Sequence, residues 1–211
     1  MIRFKDRIDA GKKLAVLLAA YKDSPNAIVI GLVRGGMVTA YQVAKQLNLP
    51  LDLIVPRKIS APYSPELAVG ALTQEGEIIW NNTLLKQLGL TKADLAENIT
   101  KEKKEAARRL NLYRGNRAPL DIKNKIVILV DDGIATGATM QAAITSIRAQ
   151  RAKKIIVATP VSSAEALQTI KKEEDEVVCI SVPEIFWGVG AFYDNFAQTS
   201  DEEVIALMQE H

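Results

Sequence analysis

Two adjacent carboxylates, Asp131 and Asp132, stand at the lip of a turn made of small residues, Gly133-Ile134-Ala135-Thr136-Gly137-Ala138-Thr139. The turn follows an apolar run and opens a helical pattern, which suits it to an anion. Backbone amides at a helix start point outward, and the helix dipole adds to their attraction. Gly133 and Gly137 permit close approach and positive φ, and Thr136 and Thr139 supply hydroxyl donors. Two acids beside such a cradle would repel the anion, so they must face something else. Carboxylates accept hydrogen bonds from sugar hydroxyls, as the ribose-binding acid of dinucleotide folds does. A ribose 5-phosphate satisfies both halves, its phosphate in the turn and its 2- and 3-hydroxyls on Asp131 and Asp132. A single Asp there would more simply end the strand or cap a turn. The pair favours the sugar.

The rest of the composition narrows the chemistry. The chain has one histidine, His211, and one cysteine, Cys179. A Ser-His-Asp or Cys-His apparatus and a zinc site are therefore not expected. Carboxylates, cations, hydroxyls, amides or a magnesium ion must do the work. Cys179 lies in the apolar run EVVCI and reads as a buried strand thiol. A single cysteine allows no internal disulfide, which fits a reducing, cytoplasmic setting. Neither a signal peptide nor a membrane span is legible, so no membrane partner is expected. The net charge of +2 does not suggest a general nucleic-acid binder, and no DNA partner is expected. The turn is not a Walker loop, because Ala138 occupies the lysine position.

Alternating strands and helices must position these residues. Ala27–Val33 (AIVIGLV) reads as a buried strand, followed by Gly35-Gly36 and a helix from Met37 to Leu47. Leu51–Pro56 is a second strand, Lys125–Val130 a third, Lys154–Val161 a fourth and Glu176–Val182 a fifth. Helices are expected over 9–22, 92–113, 137–150 and 163–172, with a capping box, Ser200 and Glu203, opening the last one. Arg57–Pro65, with two prolines, reads as a loop, and 66–80 as two strands joined at Glu75-Gly76. Arg108, Arg109, Arg114 and Arg117 read as a solvated basic face. With 211 residues, 48% of them hydrophobic, the simplest account is one α/β domain. It has a mainly parallel sheet of about five strands and helices on both faces. Ligands of such sheets bind beyond the carboxyl ends of the strands, where the VRGG, PRKI and DDGIATGAT loops lie.

VILVDDGIATGAT resembles the phosphoribosyl-pyrophosphate (PRPP) motif of type I phosphoribosyltransferases, and the order of strands and loops over 27–182 is similar to that family. Two further motifs, D-R-x-D-A-G near the start and F-x-Q-x-S-D-E-E-V near the end, resemble an uncharacterised bacterial branch. The resemblance implies a fold with a small variable hood. Residues 57–82 would form a flexible loop and hairpin, 91–114 a helical insertion and 183–198 the hood. It implies that Asp131 through Thr139, with Gly35 and Gly36, bind PRPP, and that the Val33–Arg34 peptide is cis. Arg34, Arg57 and Lys58 would stabilise the departing pyrophosphate together with Mg²⁺, which would be held by substrate oxygens and water rather than by protein ligands. Phe186 or Trp187 would stack on the acceptor, with Tyr63, Glu66 and Trp80 as weaker contacts. Ala135 stands where the 6-oxopurine branch carries an Asp, which points away from hypoxanthine or guanine. A homodimer and a role in nucleotide metabolism are further family expectations.

Three readings of the activity remain open at this level. The chain is a transferase moving phosphoribosyl from PRPP to a nitrogenous base or other nitrogen acceptor, or a non-catalytic PRPP or nucleotide sensor, or a hydrolase or pyrophosphorylase of ribose phosphates.

Overall fold

The computed structural model describes residues 2–73, 76–115, 117–171 and 175–211, without the side chains of Pro65 and Glu66. In chain order the elements are α1 (Arg7–Leu17), β1 (Ala27–Leu32), α2 (Gly35–Leu47), β2 (Leu51–Ile54), β3 (Arg57–Ala61), β4 (Ser64–Leu72), β5 (Ile78–Trp80) and α3 (Asn82–Gln87). They continue with α4 (Ala96–Arg114), β6 (Ile126–Val130), α5 (Ala138–Ala149), β7 (Lys154–Val161), α6 (Ala164–Lys171), β8 (Glu176–Ser181) and α7 (Asp201–Glu210). The expected strand turn at Glu75, the helix end at Lys172 and the Glu66 side chain lie outside the described residues.

Five strands form one sheet in the order β2-β1-β6-β7-β8, every pair parallel. Its strands are apolar on both sides because both sides are covered. Successive side chains alternate between faces. Val29 packs among α1, α2 and α7 residues such as Leu14, Met37, Val204 and Met208. Ile28 and Ile30 pack on the other face against Met140 and Ile144 of α5 and Ile170 of α6. Each fully buried aliphatic side chain contributes roughly 1.5–3 kcal/mol.

Element ends follow local chemistry. The Asp6 side chain caps α1 by accepting the Asp9 amide at 2.8 Å. Asn48 closes α2 in the left-handed conformation at φ 53°. Ser200 and Glu203 form the expected capping box of α7. Gly11 lets α1 and α2 approach closely, since a Cβ there would stand 2.7 Å from Thr39 O and 2.8 Å from Gln42 Cβ.

The expected loop over 57–65 is instead the β3 strand and its turn into β4. The prolines sit at the turn, Pro62, and at a position where the β3–β4 register is already irregular, Pro65. β3, β4 and β5 make a separate antiparallel sheet. The basic face is also revised. Arg114 is buried, 8% exposed, against Asp52 at 2.9 Å, and Arg117 donates to the Met208 carbonyl. Arg108 and Arg109 remain on the surface, paired with Glu105, and hold its carboxyl down at about 2. Cys179 is only partly buried, because β8 is the sheet edge, and burial still pushes its thiol up.

Gly11→Ala is expected to lower stability by about 1–3 kcal/mol, the usual cost of overpacking a tight contact. Denaturant unfolding of the two proteins checks this.

Candidate active site

β1 and β6 are neighbours, paired from Ala27↔Ile126 to Gly31↔Val130. They are also where the strand order reverses: β1 connects to β2 on one side, β6 to β7 on the other. Such a switch point leaves a crevice at the carboxyl ends of the strands. The turn after β1, Val33-Arg34-Gly35-Gly36, and the turn after β6, Asp131–Thr139, meet in it. A Cβ at Gly35 would stand 2.0 Å from Asp132 Oδ2, and one at Gly36 would stand 2.7 Å from Asp131 Oδ1. Only glycine lets the two turns come this close. The Val33–Arg34 peptide is cis, where the expectation placed it.

Both turns open helices, and neither α2 nor α5 has a side-chain cap. Gly137 precedes α5 at φ 82°, which requires glycine. Ile134 is fixed by its amide on Val161 O at 2.9 Å and its carbonyl on the Ser163 amide at 3.0 Å. Among the described residues, the amides of Gly133, Ala135, Thr136 and Gly137 donate to no protein acceptor. Ala135, Thr136 and Thr139 are exposed; the Ala138 amide makes a long contact of 3.4 Å to Thr136 Oγ1. The result is a surface nest of unused donors at a positive helix end.

The two acids differ. Asp131 Oδ1 accepts the Asp132 amide at 2.9 Å. Burial, and then the neighbouring Asp132 charge, push the Asp131 carboxyl up. Asp132 is engaged: Oδ2 accepts Arg7 Nε at 2.5 Å, with the side chains 13% and 11% exposed. Asp132 thus enters the site with one oxygen already paired. The Asp132 carbonyl accepts the Tyr193 hydroxyl at 2.5 Å, and burial pushes that phenol up.

The other expected residues divide. Arg34 reaches the crevice, its Nη1 3.7 Å from Asp201 Oδ1 at the start of α7. Asp201 also accepts the Tyr113 hydroxyl at 2.6 Å; burial, then this hydrogen bond, raise that phenol to about 12. Arg57 is paired with Glu102 of α4, and its buried Nε has no partner. Lys58 is its half-buried neighbour on β3. Phe186 stacks on Phe192 at 5.6 Å and packs with Phe4 and Tyr193, whereas Trp187 is 79% exposed. Val189 covers Gly133, whose Cβ would stand 2.3 Å from it. Tyr63 is exposed, and Trp80 lines a cavity of about 220 Å³ between β4–β5 and α5. No group of three or more acidic, cysteine or histidine side chains able to hold a metal is found among the described residues.

Arg7, Tyr193 and Asp201 are not on the expected list. The flanking motifs signalled Arg7 and Asp201, whereas Tyr193 lies only in the expected hood segment. In D-R-x-D-A-G, Asp6 caps α1, Arg7 binds Asp132 and Gly11 admits α2. In F-x-Q-x-S-D-E-E-V, Phe196 underlies Arg7 at 3.9 Å and Asp201 faces Arg34.

Residues 5–196 match the phosphoribosyl transferase domain family. The chain belongs to that family. Two Mycobacterium tuberculosis proteins with a provisional phosphoribosyl transferase name, MT0597 and Rv0571c, are 40% identical over 205 residues, which is 97% of this chain and 46% of theirs. The chain thus spans about half the length of the curated relatives it matches. The crystal structure of TT1426 from Thermus thermophilus is similar over 99% of both chains, with 38% identity and a TM-score of 0.92. No helix among the described residues is long and apolar enough to cross a membrane.

A carboxyl raised by folding keeps its proton in the folded state at pH values where the unfolded chain has lost it. Stability therefore falls as pH rises from the unfolded pKa through the folded one. Asp131→Asn is expected to raise Tm at pH 7, with the gain shrinking as pH falls below the folded-state value and vanishing near the unfolded-state one. Thermal unfolding between pH 4 and 8 checks the sign.

Proposed function

We propose that the chain transfers the 5-phosphoribosyl group of PRPP to a nitrogen acceptor, a planar base or another nitrogen nucleophile, and releases pyrophosphate. One observation carries this reading: two uncapped helix N-termini, α2 and α5, meet at a carboxylate that faces the same crevice. PRPP carries an anion at each end of a diol-bearing ring and matches that order. The donors of Gly133, Ala135, Thr136, Gly137 and Thr139 take the 5-phosphate. Asp131 takes a ring hydroxyl, with Asp132 held beside it by Arg7. The Arg34-Gly35-Gly36 turn takes the pyrophosphate.

In the reaction the acceptor nitrogen bonds to C1 as the C1–O bond to pyrophosphate breaks. The bonding pair leaves with the pyrophosphate, and the acceptor nitrogen gives up its proton afterwards. Positive charge develops on the ring and negative charge on the leaving group. Asp131 lies on the ring side; Arg34 and the α2 terminus lie on the leaving-group side, where fixed charges and dipoles stabilise the transition state most. A hard divalent cation fits this site as a companion of the substrate, since the open crevice offers one uncommitted acid and Mg²⁺ keeps waters and phosphate oxygens as ligands. When bound, it neutralises charge on the departing pyrophosphate. Arg57 and Lys58 start β3, and the Arg57–Glu102 pair must open for Arg57 to reach the leaving group. Phe186 is committed to the hood interior, so Trp187 is the better acceptor contact. A cytoplasmic role in nucleotide metabolism completes the reading.

Incubation with PRPP, Mg²⁺ and a panel of bases, followed by pyrophosphate release, tests the reading. Release that requires one acceptor is expected, and Asp131→Asn is expected to lower kcat/KM by at least about 100-fold. Acceptor-independent release indicates hydrolysis. PRPP-induced thermal stabilisation without release, about 2.7 kcal/mol at 100 times Kd, indicates a sensor.

A further inference from the structure

Arg7 is the point where four parts of the molecule touch. Its Nε donates to Asp132 Oδ2 at 2.5 Å, and its Nη1 donates to the Ala197 carbonyl at 2.7 Å. Its guanidinium carbon lies 3.9 Å from the centre of the Phe196 ring. A Cβ at Gly35 would stand 2.8 Å from its Nε. The contact is built from both chain ends. Phe4 pairs with the hood, with its amide on Phe192 O at 2.9 Å and its carbonyl on the Asp194 amide at 2.8 Å, and the Lys5 carbonyl takes the Asn195 amide at 2.9 Å. This zipper brings α1 and Phe196 to opposite sides of one guanidinium. A planar, stacked guanidinium with donors on two edges holds a carboxylate in one orientation better than an ammonium can.

We propose that Arg7 is a positioning residue of the phosphoribosyl site: it clamps Asp132 Oδ2 beneath the Gly35 turn and so fixes the orientation in which the acidic pair meets the sugar diol. The proposal rests on the PRPP reading above. Burial and then the Asp132 charge push the Asp131 carboxyl up, and the Arg7 charge, fixed beside Asp132, opposes that shift. The groups against the pair are Arg7 from α1, Gly35 from the start of α2 and Tyr193 from the hood. Of these, only Arg7 has a cationic nitrogen within hydrogen-bond distance of either carboxylate among the described contacts.

The test is PRPP affinity, measured calorimetrically with Mg²⁺ between pH 6 and 9, in the full chain and in Arg7→Gln and Arg7→Lys. Wild-type affinity is expected to rise with pH as the Asp131 carboxyl releases its proton. Arg7→Gln is expected to bind about tenfold more weakly at pH 6.5 and to recover most of the loss by pH 9, because without the Arg7 charge the pair holds its proton to higher pH. Arg7→Lys keeps the charge and loses the fork, so its affinity is expected to fall between the two with the wild-type pH profile. A purely structural role would weaken binding by the same factor at every pH; that result, or wild-type affinity in Arg7→Gln, overturns the proposal. If Arg7→Gln does not fold, Arg7→Lys decides alone, and wild-type affinity there overturns it. A wild-type protein that binds no PRPP at any pH overturns the functional reading and this assignment together, and the wild-type arm separates that failure from failure of Arg7 alone.

Discussion

Two backbone turns press against two carboxylates, and the rest of the site follows from that contact. A methyl group at Gly35 would stand 2.0 Å from Asp132, and one at Gly36 would stand 2.7 Å from Asp131. The pressure is possible because β1 and β6 are adjacent and in register, so their carboxyl ends leave the sheet together. It is tolerable because both turns begin helices, whose N-terminal dipoles favour negative charge. The acids offset the helix ends, and the helix ends offset the acids. Among the described residues, the unused amides of Gly133, Ala135, Thr136 and Gly137 add further positive ends to this balance.

Charged side chains around the two turns and β3 are held by counterions from outside the core sheet. Arg7 comes from α1, Asp201 from α7 and Glu102 from α4, and they engage Asp132, Arg34 and Arg57. The partly buried Arg7–Asp132 pair has two neutral hydrogen-bonding neighbours, the Ala197 carbonyl and the Tyr193 hydroxyl, which help to satisfy groups that would otherwise be costly to desolvate.

Much of this was legible in the chain. The five strands were readable because each is a short apolar run, buried on both faces, between turn residues. The anion cradle was readable because glycine, threonine and helix onset coincide at 133–139. The β3 strand was not, because its prolines flank it in a turn and at an irregular pairing, so local composition mimicked a loop. The burial of Arg114 was not, because its partner Asp52 lies 62 residues away on a strand that otherwise reads as wholly apolar. The commitment of Asp132 was hidden for the same reason: Arg7 is 125 residues distant. The flanking motifs marked those positions as special without saying what they touch.

The most direct measurement is a crystal structure of the protein soaked with ribose 5-phosphate. The account predicts the phosphate within hydrogen-bond distance of the Ala135–Thr139 amides and a ring hydroxyl on the Asp131 carboxylate, with the Arg7–Asp132 contact intact. A sugar phosphate bound away from this crevice, or one whose diol faces away from Asp131, would contradict it.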